Sequence, residues 1–343
     1  MKYSSYGDTD FVTGLRAIAA LMVVVVHTAA FDDVAFLPDG LSSIGKYGVQ
    51  MFFVIAGFTV AANLNSGMSL KKFFLRRSFR ILPPYFAALF VYMAATLALP
   101  ISPSGNDSDR SVSVFIYDVL LHLTLLNIFV DGYSGSIMGV EWTVSVEYMT
   151  YFLLFFLLGT QLISTLRWWV VFVVAVLIST VSKSIVESLH GWSVAHVFPL
   201  AYLVYFIVGV LAFNARSAQK SHVYESLGVL LFVLAFAFRP GFAGALIGIA
   251  TSLVLMSGSS SRGFLGPILS SPKIMFLGAI SYSIYLYHML VKEIVILVSG
   301  EMGYDLHSSL LLLVVLFIVI FVSFLSHRLI EIPSATFGRK LGE

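Results

Sequence analysis

The chain has 343 residues, of which 59% are hydrophobic and only 11% are charged. Soluble proteins carry about 25% charged residues, so this composition excludes an ordinary soluble domain and indicates a membrane protein that crosses the bilayer many times. The net charge of +2, without a long basic run, argues against a nucleic-acid partner, and the lack of cysteine excludes disulfides and cysteine-bound metals.

We predict an all-α, polytopic fold with about ten transmembrane helices, because apolar runs of membrane-spanning length recur along the chain. The predicted spans lie near 11–31, 45–65, 81–99, 144–160, 167–185, 198–214, 223–238, 241–257, 274–298 and 308–331. A further apolar segment at 114–130 contains Asp118 and His122. We interpret it as a short amphipathic or re-entrant helix, with an eleventh span as the alternative. The polar segment at 100–113 is predicted to be a flexible loop.

Positive charge predicts the orientation of the spans, because cytoplasmic loops are enriched in lysine and arginine. With ten spans, most basic residues lie on the same side as both termini, including the run at 71–80. The opposite loops carry acids such as Asp107 and Glu301. We therefore expect both termini to be cytoplasmic. The first span also fits a signal peptide with Thr28-Ala29-Ala30 as its cleavage site, which is an open alternative.

Arg16 and His27 lie eleven residues apart in the first span. Eleven helical residues return to within about 20° of the starting direction, so both side chains share one face, roughly 16 Å apart along the axis. Ionisable groups inside a membrane usually face a polar cavity or a partner, so this face predicts a polar path across the membrane. The structural alternatives are an arginine that extends to the inner interface and a histidine bonded to the helix end.

Arg77 and Arg80 lie three residues apart, in a basic run that leads into the third span. One interpretation is that this charge only holds the loop in the cytoplasm. However, two arginines on one helical face are also suited to bidentate phosphate binding. The pair therefore predicts a site for a phosphorylated, soluble donor at the cytoplasmic mouth.

The start of the fourth span contains Glu141, Trp142 and Glu147. These residues fit an interfacial tryptophan anchor flanked by two solvated acids. Glu147 already lies inside the apolar run, where a carboxylate needs a partner such as histidine or arginine. In the ninth span, His288 follows several serines and tyrosines whose hydroxyl groups suit helix packing; a role for His288 in the site is the alternative.

Five segments, in this order, resemble the membrane-bound acyltransferase-3 family, the bacterial O-acetyltransferases of surface polysaccharides and O-antigen. They are Leu15-Arg16-Ala17 with His27, 48–58, Arg77-x-x-Arg80 with 81–85, 141–147 and 280–288. The resemblance extends over about 11–331, nearly the whole chain. Ala56 and Tyr148 depart from the family pattern, which often has serine and a second glutamate there.

The resemblance implies an enzyme of the bacterial inner membrane that transfers an acyl group, most often acetyl, from cytoplasmic acyl-CoA. The acceptor would be a hydroxyl of a cell-surface glycan such as O-antigen, capsule or exopolysaccharide, with a lipid-linked form of the glycan as one alternative. Acetyl-CoA is then a co-substrate, and we expect no bound cofactor and no metal. The implied catalytic residues are His27, Glu147 and Arg16; the residues assigned to substrate binding are Arg77, Arg80, Trp142, Glu141 and His288.

From these positions we expect the pantetheine arm of the donor to follow the face that joins Arg16 and His27. His27 would deprotonate the sugar hydroxyl or carry the acyl group, and Glu147 would orient its imidazole. The expected unit is a single domain, 1–343, without a fused extracytoplasmic domain. The alternatives from other classes are a transporter or flippase of a lipid-linked saccharide and a scaffold without chemistry. The sequence does not predict the oligomeric state.

Overall fold

The computed structural model describes residues 10–29, 41–102, 112–159, 166–216, 220–238, 242–257 and 263–342. All regular secondary structure in these ranges is helical, which confirms the predicted all-α class. Most of the predicted loop at 100–113 lies outside the described residues, as do Asp107 and Ala30.

The helices follow one another along the described chain with short connections. They are α1 (Asp10–His27), α2 (Gly48–Asn65), α3 (Leu70–Ala98), α4 (Val112–Leu123), α5 (Trp142–Gly159), α6 (Trp168–His190), α7 (Trp192–Val197), α8 (Leu203–Ala215), α9 (Ser221–Phe238), α10 (Ala243–Met256), α11 (Leu265–Leu269), α12 (Pro272–Ala279), α13 (Ser281–Glu301), α14 (Ser308–Ser326) and α15 (Ile332–Leu341). Short 3₁₀ helices lie at Leu41–Tyr47, Asn127–Phe129 and Pro199–Tyr202, and a π-helical turn at His327–Glu331 joins α14 to α15.

Six helical segments of the described chain are long and apolar enough to cross a membrane: Asp10–His27, Ser42–Asn65, Leu70–Ala98, Trp168–His190, Ser281–Glu301 and Ser308–Leu341. Shorter apolar helices lie at Val114–Leu123, Trp142–Leu158, Pro199–Ala215, Ser221–Ala237 and Ala243–Met256. A helix is thus present at each predicted span. However, only six of the described helical segments are long and apolar enough to cross a membrane, so the predicted total of about ten spans is not confirmed.

Several helix bounds differ from the predicted spans. The third helix begins at Leu70 rather than near 81, because the Ser69 side chain caps it by accepting a hydrogen bond from the Lys72 amide at 3.4 Å. The predicted span at 274–298 is two helices, interrupted at Ile280. The last helix continues past 331 through its π-helical turn to Leu341.

The short helix α4 does not carry the chain across the membrane between α3 and α5. Arg77 of α3 lies beside Tyr151 of α5, with 3.4 Å between Nη1 and the hydroxyl. Further along α3, Tyr85 donates a hydrogen bond to the His122 carbonyl, and the His122 ring bonds Glu141, which immediately precedes α5. α3 and α5 are therefore antiparallel, whereas a crossing by α4 would make them parallel. The eleventh-span alternative is inconsistent with this arrangement.

The polar face of α4 points into the protein. Asp118 and His122 are 2% and 0% exposed, whereas Ile116 and Leu120 are 53% and 54% exposed. Burial of charged groups with apolar groups outside is the pattern expected for a helix in contact with lipid. The segment is thus amphipathic as predicted, and its polar side faces protein.

Backbone contact between α2 and α8 fixes the centre of the bundle. A methyl group on Gly57 would overlap the Phe206 carbonyl oxygen, and one on Gly209 would overlap that of Val54. Membrane helices associate through such small residues because lipid supplies little hydrophobic driving force between them. This packing fixes α2, one face of which lines the cavity described next.

Candidate active site

A cavity of about 70 Å³ lies between α1, α2, α3, α5 and α13. Its charged lining residues are Arg16, Arg77, Arg80 and Glu147. The other lining residues are polar or apolar: Val49, Phe52, Phe53, Ile55, Ala56, Ile81, Thr143, Val144, Ser281, Tyr282 and Tyr285. The structure therefore brings together four of the residues that the sequence marks as candidates, from three separate helices.

Arg77 is buried and lies against aromatic rings. Its guanidinium carbon is 4.9 Å from the centre of the Tyr151 ring and 5.7 Å from that of Phe73. Arginine stacked on aromatic faces is favoured by cation–π attraction, and its planar fork then has few orientations. The Tyr151 hydroxyl donates a hydrogen bond to Glu147, so these aromatic and acidic groups position Arg77 towards the cavity.

Arg80 lies one turn further along α3 and is exposed, so it marks the opening of the cavity. Glu331, in the π-helical turn, is close enough to attract it electrostatically. The carboxylate of Glu331 also accepts a hydrogen bond from Ser283 and lies 2.9 Å from His327 Nδ1. π-Helical turns are frequent at functional sites, and this one places an acid beside a candidate arginine.

The cavity contains more positive than negative charge. Arg16, Arg77 and Arg80 repel one another electrostatically, and Glu147 is the carboxylate that lines the same cavity. Among the described residues, none of the three arginines forms a salt bridge. Guanidinium groups without a carboxylate partner are suited to binding an anion, so the lining is suited to a phosphate group.

His27 does not line this cavity. Arg16 is part of the lining, and His27 lies at the far end of the same helix, beside His288 of α13, with ring centroids 5.1 Å apart. Tyr285 connects the two places, since it lines the cavity and its ring centroid is 5.8 Å from that of His288. α1 thus carries Arg16 in the cationic cavity and His27 beside a second histidine; the polar path predicted from their spacing stays a prediction.

Glu147 is not placed beside His27. Its carboxylate accepts the Tyr151 hydroxyl proton in a hydrogen bond and lies near the arginines, and among the described residues no contact joins it to His27. The expectation that Glu147 orients the imidazole therefore has no support in the geometry. Its position instead fits a role in holding Arg16 and Arg77.

Glu141 belongs to a buried network away from the cavity. Its Oε1 accepts hydrogen bonds from the amides of Ile137 and Met138 at 2.9 and 3.0 Å, and lies 3.0 Å from His122 Nε2. The other nitrogen of His122 is 3.1 Å from Asp118 Oδ1. Glu141 is 0% exposed, so the interpretation as a solvated acid is wrong for this residue.

Charge on His122 links the two acids of this network. Burial alone lowers the pKa of His122, but hydrogen bonds with Asp118 and Glu141 outweigh it and raise the pKa from 6.5 to about 9. At neutral pH the ring is therefore an imidazolium between two carboxylates. The network fixes the segment that precedes α5, and hence the position of Glu147 on that helix.

Trp142 lies in an aromatic cluster outside the cavity lining. Its ring centroid is 5.6 Å from that of Tyr202 and 6.1 Å from that of His196, which is itself stacked on Trp192 at 4.7 Å. Trp192 is 60% exposed. The cluster is compatible both with an interfacial anchor and with a surface for an acceptor.

Sequence reasoning missed the aromatic and acidic residues that complete the site. Tyr151, Tyr282, Tyr285 and Glu331 lie in apolar spans among many similar residues. Helical spacing offered one signal: Tyr151 follows Glu147 by four residues, which places both on one face. Nothing comparable in the sequence links Glu331 to Arg80.

Comparison with known proteins places the chain among acyltransferases. A family profile described as an acyltransferase domain matches residues 9–328. A Staphylococcus aureus (strain COL) protein provisionally named an O-acetyltransferase is 25% identical over 381 residues, which are 99% of this chain and 59% of the relative. The peptidoglycan O-acetyltransferase OatA of Listeria monocytogenes is 23% identical over 360 residues, 94% of this chain and 55% of the relative.

A shorter relative also matches. A protein of Acidianus two-tailed virus, provisionally named an acetyltransferase, is 25% identical over 300 residues, 84% of this chain and 85% of the relative. The chain spans only 59% of the length of the staphylococcal relatives. No solved structure matches it.

The family profile covers the segments that carry the resemblance, including Arg16, His27, Arg77, Arg80 and Glu147. The family recognised from those segments is thereby confirmed, and the chain belongs to the acyltransferase-3 family.

Proposed function

We propose that this protein is a membrane O-acyltransferase that moves an acetyl group from acetyl-CoA to a hydroxyl of a cell-surface glycan. The observation that carries the proposal is the gathering of Arg16, Arg77 and Arg80 in one cavity. Arg16 belongs to the helix α1, which leads to His27 at its other end. A phosphorylated thioester needs such cations, and transfer to a hydroxyl needs a base at the other end.

The donor enters at Arg80, the exposed arginine at the opening. Arg77 and Arg80 hold phosphate groups of CoA, with Arg16 deeper in the same cavity. A cavity of about 70 Å³ has room for a small group but not for a whole CoA molecule, so the nucleotide extends outside the opening. The pantetheine arm follows the α1 face over the roughly 16 Å from Arg16 to His27.

His27 acts as the general base. It takes the proton of the acceptor hydroxyl while the hydroxyl oxygen attacks the thioester carbonyl; a C–O bond forms and the C–S bond breaks. The proton then passes from His27 to the thiolate, and CoA leaves as its thiol. Aromatic side chains such as Phe52 and Tyr285 exclude water from the thioester.

The acceptor is a glycan at the side of the membrane opposite to the donor. The name of the Listeria relative, a peptidoglycan O-acetyltransferase, supports peptidoglycan over O-antigen as the glycan class. Basic residues near Arg77 support a cytoplasmic donor opening, and hence cytoplasmic termini in the inner membrane. The antiparallel order of α3 and α5 agrees with that topology.

The test uses purified protein in detergent with acetyl-CoA and an N-acetylglucosamine oligosaccharide as acceptor. Released CoA is measured with a thiol reagent, which gives no background because the chain contains no cysteine. We expect CoA release that depends on the oligosaccharide, and an ester-linked acetate on the sugar by mass spectrometry. Movement of a lipid-linked saccharide across vesicles without thioester consumption would instead support the flippase alternative.

A further inference from the structure

The unusual feature of the histidine pair is an unpartnered nitrogen on His288. The ring is 1% exposed, and among the described residues its Nε2 has no hydrogen-bond partner. A buried polar atom without a partner is unfavourable and rare in folded proteins, so it needs an explanation. The ring of His288 neighbours that of Tyr285, 5.8 Å away between centroids, and that of His27, which is nearer at 5.1 Å.

The tautomer of His288 follows from its other nitrogen. Nδ1 lies 2.7 Å from the Tyr285 carbonyl oxygen, which can only accept a hydrogen bond. Nδ1 therefore carries the proton, and Nε2 carries a lone pair and can only accept. α13 fixes both the ring and its tautomer, because donor and carbonyl belong to the same helical turn.

His27 lacks such a constraint. Among the described residues no hydrogen bond holds its ring, although it must present a lone pair to act as a base. The ring centroids of His27 and His288 are 5.1 Å apart, a separation at which a nitrogen of one imidazole can lie within hydrogen-bond distance of a nitrogen of the other. The N–H of His27 would then point at His288, and its other nitrogen would be free to accept a proton.

We propose that His288 is a positioning residue for His27: its Nε2 accepts the His27 N–H, fixes the tautomer of that ring and stabilises the imidazolium formed during transfer. It does the work that a carboxylate does in a Ser-His-Asp triad, without itself gaining a proton. The inference rests on the proposed function, in which His27 takes the hydroxyl proton. It gives His288 a task distinct from helix packing and from direct contact with the sugar.

Two amide substitutions separate the nitrogens of His288. His288→Gln places an oxygen acceptor near the position of Nε2, whereas His288→Asn keeps a donor near Nδ1 and leaves no acceptor at Nε2. His288→Leu keeps a buried apolar side chain without either function. If His288 only packs the helix, leucine should perform at least as well as glutamine, because burying an amide without partners is unfavourable.

The measurements are kcat for acetyl transfer and the affinity for acetyl-CoA of each purified variant. We expect His288→Gln to retain kcat within about 10-fold, and His288→Asn and His288→Leu to lose about 100-fold or more, as general-base catalysis is worth 10²–10⁴-fold. Affinity for acetyl-CoA should be unchanged in all three, since the arginine cavity is intact. Thermal unfolding in detergent identifies any variant that fails to fold.

The outcomes distinguish this inference from the proposed function. If the wild-type protein transfers acetyl groups and all three variants match it, or if leucine outperforms glutamine, the positioning role is refuted and the acyltransferase stands. If His288→Gln loses as much kcat as His288→Leu, while both variants fold and bind acetyl-CoA, the proposed hydrogen bond to His288 Nε2 is also refuted. If the wild-type protein consumes no thioester with any glycan, the proposed function itself fails.

Discussion

Arg77 and Arg80 belong to one sequence motif but occupy different environments. Arg77 is buried, with its guanidinium carbon 4.9 Å from the centre of the Tyr151 ring, whereas Arg80 is exposed at the opening of the cavity. One arginine is thus held rigidly inside, and the other can meet a ligand that arrives from solvent. This difference predicts distinct consequences for substitutions at the two positions.

Arg77→Ala should weaken acetyl-CoA binding by about 10- to 100-fold, because a charge-assisted hydrogen bond is worth about 1.5–3 kcal/mol. Arg77→Lys should restore only part of the affinity, since lysine lacks both the planar fork and the stacking on Tyr151. Arg80→Ala should weaken acetyl-CoA binding at low salt, and this effect should be smaller at high salt, because salt screens the interactions of an exposed charge. Titration calorimetry with purified protein at two salt concentrations measures all three.

The matched controls are Lys71→Ala and Lys72→Ala on the same helix. Neither lysine lines the cavity, so affinity should change little. Equal, small effects of all the alanine substitutions would mean that the basic run only directs insertion into the membrane.

Glu141→Gln should lower the stability of the protein rather than its affinity for substrate. The substitution removes the charge of the carboxylate that meets His122 and two backbone amides in a buried setting. The midpoint of thermal unfolding in detergent should fall, while acetyl-CoA affinity stays normal. A variant that unfolds like the wild type but no longer transfers acetyl groups would restore the substrate-binding role that the sequence suggests.

The stability should also fall at alkaline pH because of His122. Its pKa is raised from 6.5 to about 9 in the folded protein, so the folded state binds this proton more tightly than the unfolded state. The contribution of the protonated His122 to the free energy of unfolding is complete below pH 6.5 and is lost as the pH rises through about 9. Unfolding midpoints across this range should show the decline, and His122→Gln should lack that component; identical pH profiles would contradict the charged network.

Gly57→Ala should disturb the contact between α2 and α8, because the added methyl group would overlap the Phe206 carbonyl oxygen. Overpacking of this kind typically costs about 1–3 kcal/mol. Gly300→Ala is the control: a methyl group there meets no atom within 4 Å, and alanine favours the helix. Unfolding midpoints that fall equally for both variants would show that the close approach of the helices is not the cause.

Sidedness can be measured with single cysteines, because the chain has none. Ser66 and Asp305 are exposed residues of the loops before α3 and before α14. With ten spans, Ser66→Cys should react with a membrane-impermeant thiol reagent only from the cytoplasm, and Asp305→Cys only from outside. Labelling of both from the same side would contradict the topology and the donor route that depends on it.

The sequence could predict those parts of the site that follow from a regular helix. Arg16 and His27 share a face because of helical geometry alone, and Arg77 and Arg80 follow from their spacing within α3. Membrane-spanning length predicted where helices lie, although an apolar run cannot distinguish a long span from two helices broken at Ile280.

The remaining features depend on contacts between distant segments. Buried Glu141 is hydrogen-bonded to His122 of α4, and Glu331, in the π-helical turn after α14, attracts Arg80 electrostatically. The pairing of His288 with His27 joins the first predicted span to the ninth. The periodicity of a sequence indicates which residues share a face of one helix, but not which helices are in contact. It therefore could not predict these three relationships.

The most direct test of the central claim is ester-linked acetate on the surface glycans of the organism that carries this chain. Glycans are isolated from cells with the wild-type allele, a deletion and His27→Ala, and acetate released by mild base is measured at matched protein levels. We predict that the deletion and His27→Ala lose the same fraction of this acetate, while Lys71→Ala retains it. Wild-type acetate levels in the deletion strain, or in cells with well-expressed His27→Ala protein, would contradict the account.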